Sequence, residues 1–543
     1  MLIDQDRKSI NGQFMGASFD LRERRVQLLP WLAYLLAIVV VVAVFFGNWQ
    51  QPLLEQHGFR QTQTALSVYW GIVDGWRLAY QTPVLGAPWS VPFEFPFFQW
   101  AVSACWAATG LPLDACGRAT SLLFFLGSSG LVMALLLQLG VTRVSAFAGA
   151  ILYLIAPNHL FWGRAFLIES CAVFFTLAFA VGSIATMQAE LSARKRVAAA
   201  FLLVLLAVVA TLTKVTTFLA GAIFVVLVSL LVAYRHLRRG DENGLREAAL
   251  RVGCASVAPL AIALVAAVAW VGFSDAVKTV NPIAESLTSA RLGGWNYGSL
   301  EQRLSKELWI DTVLGRSIPE TVGWAGLAAV TVGLIIVRGS ARLALLGLLV
   351  AYLVSFLAFP NLHIVHNYYQ MAVGAWAVAA LAIVLDRLRG FSQALFLAVA
   401  LAVGAQQIHE YGTRYHASTL QSFTTANSRT LALATTLQRL TQPDDVVVAL
   451  GYDWSSELAY YAQRRAITIP NWKDPAERAA AMLDALAAPY RIGALVDCGS
   501  PDWLSRKLDA QRQRLDSSSR VAGCEVRVAS RLPTSEARDP TAK

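Results

Sequence analysis

The stretch ARKRVAAAFLLVLLAVVATLTKVTTFLAGAIFVVLVSLLVAYRHLRR, residues 193–239, decides the architecture. Its two uncharged runs, 197–213 and 215–234, are each long enough to cross a hydrocarbon core of about 30 Å as a helix. Arg194, Lys195 and Arg196 precede the first run, and Arg235, Arg238 and Arg239 close the second. Only Lys214 interrupts them. Basic connectors stay on the cytoplasmic side, so the pair reads as a hairpin whose tip, TLTKVTT, lies on the outer face. Runs of the same kind at 30–47, 119–140, 144–163, 170–189, 252–274, 321–337, 343–359, 367–385 and 390–408 bring the total to eleven. Basic residues again gather at every second connector. Arg22, Arg24 and Arg25 precede the first span, and Arg143 follows the second. Arg246 and Arg251 lie beyond the sixth, Arg338 and Arg342 after the eighth, Arg387 and Arg389 after the tenth. This alternation places residues 1–29 in the cytoplasm, and the segments 48–118, 158–169, 275–320, 360–366 and the whole C-terminus outside.

Residues 95–110 (FPFFQWAVSACWAATG) are apolar but short, and counting them as a span would flip every later loop. They read as a helix lying in or dipping into the outer leaflet, with Phe93, Phe95, Trp100 and Trp106 as interfacial aromatics. Composition agrees with a membrane protein: 56% hydrophobic and only 15% charged residues, with mean hydropathy +0.51. The net charge of +10 is spread over helix ends, which topology and anionic head groups explain better than nucleic acid. Residues 1–20 lack a secretory h-region, so the first apolar run reads as a retained anchor.

After Ile408 the chain turns polar. Strand-like runs at 445–450, 466–470, 492–498 and 524–530 alternate with helical patterns near 455–464, 475–488 and 501–513, which argues a small α/β domain over 409–532. Asp453 and Glu457 sit at its first strand-to-helix turn, where acids favour a helix N-terminus. Residues 533–543 read as a disordered tail. Cys498 and Cys524 either pair in an oxidising compartment or stay as two small buried hydrophobes. The expected fold class is an α-helical polytopic membrane protein of about eleven transmembrane helices over 30–408. Juxtamembrane helices in the outer leaflet and a C-terminal α/β periplasmic domain complete it.

Five polar clusters fall on the outer side. EQHGFRQTQTALSVYW carries Glu55, His57, Arg60, Gln61 and Gln63. VPFEFPFFQW sets Glu94 between prolines. PNHLFWGRAFLIES carries Asn158, His159, Arg164 and Glu169. Lys214 marks TLTKVTT, and PNLHIVHNYYQ carries His363, His366, Asn367, Tyr368 and Tyr369. Each charge taken alone has a plain reading, as a snorkelling helix end or a structural ion-pair partner. Together, at one membrane boundary, they suit an anionic lipid head group meeting a polar acceptor. Arginine and lysine grip phosphate, histidine and tyrosine supplement that grip, and a carboxylate deprotonates a hydroxyl.

These residues resemble bacterial integral-membrane glycosyltransferases of the GT-C class, close to the family 39 group. That group is related to the protein O-mannosyltransferases and the lipid A aminoarabinose transferase. HGFRQTQTA resembles the HGWRQADTA-like start of the first outer loop, and PFEFPFFQW the proline-rich segment that follows it. GRAFLIES resembles the arginine-to-acid motif of the second outer loop, TK at 213–214 the TKG motif, and HNYYQMAV the tyrosine-rich opening of a late span. The resemblance runs over roughly 30–470. It implies a polyprenyl-phosphate sugar donor, a periplasmic acceptor (lipid, glycan or protein) and a place in the bacterial inner membrane.

One position departs from that pattern. Where the family has an aspartate in RQADT this chain has Gln63, which cannot act as a base. Glu94 and Glu169 are the next candidates for the catalytic carboxylate, with Glu55 third. His57, Arg60, Gln63, Arg164, Lys214, His363, His366 and Tyr368 are expected to bind substrate. No DxD or histidine-cluster metal motif appears on the outer side, so neither a metal nor another cofactor is expected. A lipid or polysaccharide transporter would account for the spans and their charges equally well, but the inverted repeats of transporters are not evident. An inactive cell-envelope scaffold draws its support from Gln63.

Overall fold

The structure is a computed structural model that describes residues 21–239 and 242–530, the side chains of 21–27, 239, 242 and 243 excepted. Residues 1–20 of the expected cytoplasmic segment and the expected disordered tail at 533–543 lie outside the described residues. So do the side chains of Arg22, Arg24, Arg25 and Arg239. Two compact units divide the chain. One comprises Met1–Gln50, Glu94–Val271 and Gly293–Gln421; the other comprises Gln51–Phe93, Gly272–Leu292 and Ser422–Lys543.

The first unit is a helical bundle of a multi-pass membrane protein. Among the described residues, eight helices are long and apolar enough to cross a membrane, and nine if one bent pair counts as a single span. The bent pair, Glu307–Thr321 with Gly323–Ile336, turns by 98°. Gly323 sits at that turn with φ +67°, a conformation a side chain would strain. The other two expected segments are also helical. Arg143–Ile155 is short and stops before Pro157, while Gln393–Arg414 carries polar residues in its last turns. Phe97–Thr109, expected to lie in the outer leaflet, is helical, and its 13 residues reach only about 20 Å.

Tyr368–Phe391 is the axis of the bundle, with 89% of its apolar window buried. Alanine is its commonest residue, and such small side chains let neighbouring backbones approach closely. A Cβ on Gly374 would lie 2.5 Å from His159 Nε2, which is why this central helix admits nothing larger there.

The second unit holds a five-stranded sheet: β1 (Val446–Leu450), β2 (Arg465–Thr468), β3 (Ile492–Asp497), β4 (Ser517–Val521) and β5 (Cys524–Val528). Their order is β2-β1-β3-β5-β4, with β1 parallel to β2 and β3 and the remaining pairs antiparallel. The valine-rich β1 is buried throughout, as a central parallel strand must be. The four expected strands are all present. β4 (SSSRV) is an exposed edge strand without an apolar face to signal it. A disulfide joins Cys498 to Cys524 across a Cα–Cα distance of 4.4 Å.

This unit also recruits chain from two distant loops. Ala466 N–H and Thr468 N–H donate to the carbonyls of Pro83 and Val84 at 3.0 and 2.7 Å, covering the β2 edge. The Asn281 side-chain amide reaches the carbonyls of Leu85, Gly86 and Ala87 at 2.9–3.2 Å. Arg465 pairs with Asp74 at 2.7 Å, and its guanidinium lies 4.1 Å over the ring of Trp70.

Candidate active site

Within the bundle, Lys214 is the one residue between helices Ala193–Thr213 and Val215–Arg239, and it is extended (φ −164°, ψ 100°). The break lets its side chain leave the helix surface and turn inward. Its ammonium pairs with Oε1 of Glu169, the first residue of Glu169–Gln188. Both are buried, Lys214 at 7% and Glu169 at 1% exposure. A carboxylate at a helix N-terminus gains from the helix dipole as well as from the lysine. Oε2 of Glu169 is buried with no hydrogen-bond partner, and such atoms are rare unless a ligand or water completes them.

Aromatic side chains wall this pair. Lys214 Nζ lies 4.1 Å from the centroid of Tyr369 and 5.2 Å from that of Tyr368. His366 stacks on Tyr368 at 5.2 Å, and Trp295 meets His366 edge-on at 6.2 Å. His363 is buried between Phe356 and Tyr369, with centroid distances of 4.3 and 6.0 Å. Burial, reinforced by the charges of Arg316 and Lys214, pushes the His363 imidazole down to about 3. It is neutral at any physiological pH and brings hydrogen bonding, not charge.

Arg164 is 2% exposed on the turn before Glu169, its guanidinium 4.8 Å over the ring of Phe161. Glu94 is half-buried, and its neighbour Phe95 donates its N–H to Leu212 O at 3.1 Å. The bundle thus brings Glu169, Lys214, His363, His366, Tyr368 and Tyr369 together and anchors the segment that carries Glu94 two residues from Lys214.

The cluster after the first span lies in the other unit. His57 caps Gly58–Val73 in the left-handed region (φ 51°), and Glu55 and Gln63 are buried. Arg60 Nη1 donates to Gln63 Oε1 across one helical turn. An amide oxygen at Gln63 therefore occupies the arginine where a carboxylate would otherwise sit. Among the described residues, no three His, Cys, Asp or Glu side chains converge as a metal site.

No family model and no curated protein matches this sequence. Solved structures do. ArnT from Cupriavidus metallidurans, bound to undecaprenyl phosphate, aligns with TM-score 0.62 at 14% identity, covering 92% of this chain and 99% of that one. The archaeal oligosaccharyltransferase AglB from Archaeoglobus fulgidus, in complex with an inhibitory peptide and a dolichol-phosphate, aligns at 0.59 and 12%, covering 87% and 69%. The fold is that of the GT-C glycosyltransferases.

Within this GT-C bundle several functional candidates escape sequence reading. Tyr369, named in the fifth cluster but not among the expected substrate-binding residues, lies nearer Lys214 than Tyr368 does. Arg316 donates to the carbonyls of His363 and Ile364, the latter at 3.1 Å, and holds the turn that carries both histidines. Glu320, 2% exposed, accepts from the Tyr415 hydroxyl at 2.6 Å and from Arg414 at 3.2 Å. Arg316 and Glu320 sit four apart in a segment flanked by apolar residues, and that pattern is their only sequence signal.

Proposed function

We propose that this chain is a membrane glycosyltransferase that moves a sugar from a polyprenyl-phosphate carrier to an acceptor hydroxyl on the periplasmic face of a bacterial inner membrane. The observation that carries the reading is the buried Lys214–Glu169 pair under Tyr368 and Tyr369 in a GT-C bundle. A cation at that depth is costly unless it serves a ligand or partner. The undecaprenyl phosphate bound by ArnT and the dolichol-phosphate bound by AglB support a polyprenyl-phosphate donor.

In this reading Lys214 and Arg164 hold the donor phosphate, with His366 and Tyr368 beside it. Neutral His363 contributes hydrogen bonding, and Gln63 keeps Arg60 oriented. His57 lies at the start of the same helix. Glu169 is committed to Lys214 and orients it, while its open oxygen receives a substrate hydroxyl. Glu94 then serves as the base. It takes the acceptor's proton as the acceptor oxygen attacks the anomeric carbon; the bond from that carbon to the phosphate oxygen breaks, and its electron pair leaves with the polyprenyl phosphate. One carboxylate suffices, because the phosphate leaves as a stabilised anion without protonation, unlike the leaving group of a glycosidase. Lysine and arginine supply the positive charge, so the scheme requires no metal.

The test is transfer by purified protein from labelled polyprenyl-phosphate sugars to cell-envelope lipid, glycan and protein fractions. Product that forms with the wild type and not with Lys214→Met is expected. No transfer from any polyprenyl-phosphate sugar would refute the reading.

A further inference from the structure

At the opposite end of the bundle from Lys214, two cavities adjoin. Glu169 opens one helix at the Lys214 end, and Gln188, 19 residues later and so about 28 Å away, lines the first cavity. That cavity, of about 560 Å³, lies between spanning helices and is lined by Phe224, Leu227, Leu231, Leu346 and Val350. Its volume falls in the range of ligand sites, roughly 300–1,000 Å³. The second, about 420 Å³, shares Leu139, Gly140 and Ala341 with the first and is rimmed by Arg338, Arg387 and Arg389.

The rim is built as well as charged. Asp386, its one acid, accepts the Thr142 N–H at 3.2 Å together with the Thr142 hydroxyl, so its charge is already engaged. Arg389 donates to the same Thr142 oxygen at 3.2 Å, and Arg387 is steadied by Ile336 O at 3.3 Å and by the ring of Phe391, 4.5 Å from its guanidinium. Three arginines against one occupied aspartate leave a net positive rim over an apolar groove.

We infer that these joined cavities form a binding site for an anionic glycerophospholipid, its phosphate at the Arg338–Arg387–Arg389 rim and an acyl chain in the groove. Charge complementarity names the head group, since basic pockets between spanning helices bind anionic lipid phosphates. Continuity with a groove inside the apolar band requires that the same ligand carry a hydrocarbon chain. The site stands independently of glycosyl transfer, and lipid binding reads it without reference to turnover.

The experiment uses the full chain, delipidated in neutral detergent, with phosphatidylglycerol, phosphatidylcholine or inorganic phosphate added. Retained lipid is counted by native mass spectrometry, and the unfolding midpoint is followed in parallel. Phosphatidylglycerol is expected to be retained and to raise the midpoint, with phosphatidylcholine and inorganic phosphate much weaker. Arg338→Gln with Arg387→Gln, both exposed positions, should weaken phosphatidylglycerol binding on the order of tenfold or more and leave phosphatidylcholine unchanged. Ala344→Trp, which fills the groove, should reduce retention while the rim stays intact. Equal retention of the two lipids, wild-type retention by the arginine pair, or an equal midpoint shift from inorganic phosphate would each overturn the proposal.

Discussion

Replacing Lys214 with methionine tests the centre of this account, because the structure predicts two separable losses. Glu169 would be left at 1% exposure with neither oxygen paired, and breaking a buried ion pair from one side costs about 3–5 kcal/mol. Loss of the ammonium from the faces of Tyr368 and Tyr369 adds about 0.5–2 kcal/mol. Adding Glu169→Leu removes the stranded charge, and replacing a buried pair by apolar side chains of similar size is near neutral or stabilising. The double variant should therefore unfold later than Lys214→Met alone, while both lack donor binding and transfer. The assays are thermal and denaturant unfolding in detergent, with donor affinity measured on the folded fraction of each protein. A double variant no more stable than the single would refute the buried pair. A folded Lys214→Met protein that binds polyprenyl-phosphate sugar normally would refute the phosphate role.

Glu94→Gln should lose about 10²–10⁴-fold in rate with little change in donor affinity, whereas Arg164→Ala should mainly weaken donor binding; steady-state and single-turnover transfer assays separate the two. Burial pushes the Glu457 carboxyl above its ordinary value of 4.5 against the lowering effect of the Thr430 hydroxyl. A raised carboxyl favours the folded state below the unfolded value, and that contribution is lost as pH rises through the folded value. Glu457→Gln should thus gain on wild type as pH rises above the ordinary value of 4.5 in thermal melts of the full chain; parallel curves would contradict the burial effect. A phosphatase fused after residue 543 should be active on the periplasmic side, and a cytoplasmic signal would invert the proposed topology.

Much of the bundle was legible in the sequence because crossing a membrane is a local requirement. A run such as 215–234 must be apolar wherever it packs, so each of the eleven runs became helical, with 144–163 broken at Ala156 into two helices. Strand–helix alternation after Ile408 was legible for the same reason, except at β4, where an edge strand of serines carries no buried face. At the site, residue types were legible and partnerships were not. Gln63 announced the loss of a carboxylate, but nothing near it indicated that its oxygen would hold Arg60.

Composition, periodicity and charge placement, read in the sequence alone, determined a polytopic helical membrane protein with a small α/β unit near its C-terminus. Tertiary structure alone decided that Lys214 meets Glu169, 45 residues away, with Tyr369 nearer to it than Tyr368. It alone decided that residues 83–85 close the edge of β2 and that Arg316 holds the histidine turn. The division follows from range. Hydropathy acts on each segment independently of its neighbours, whereas an ion pair or a strand edge is satisfied by whichever distant group the packing of whole helices brings within reach.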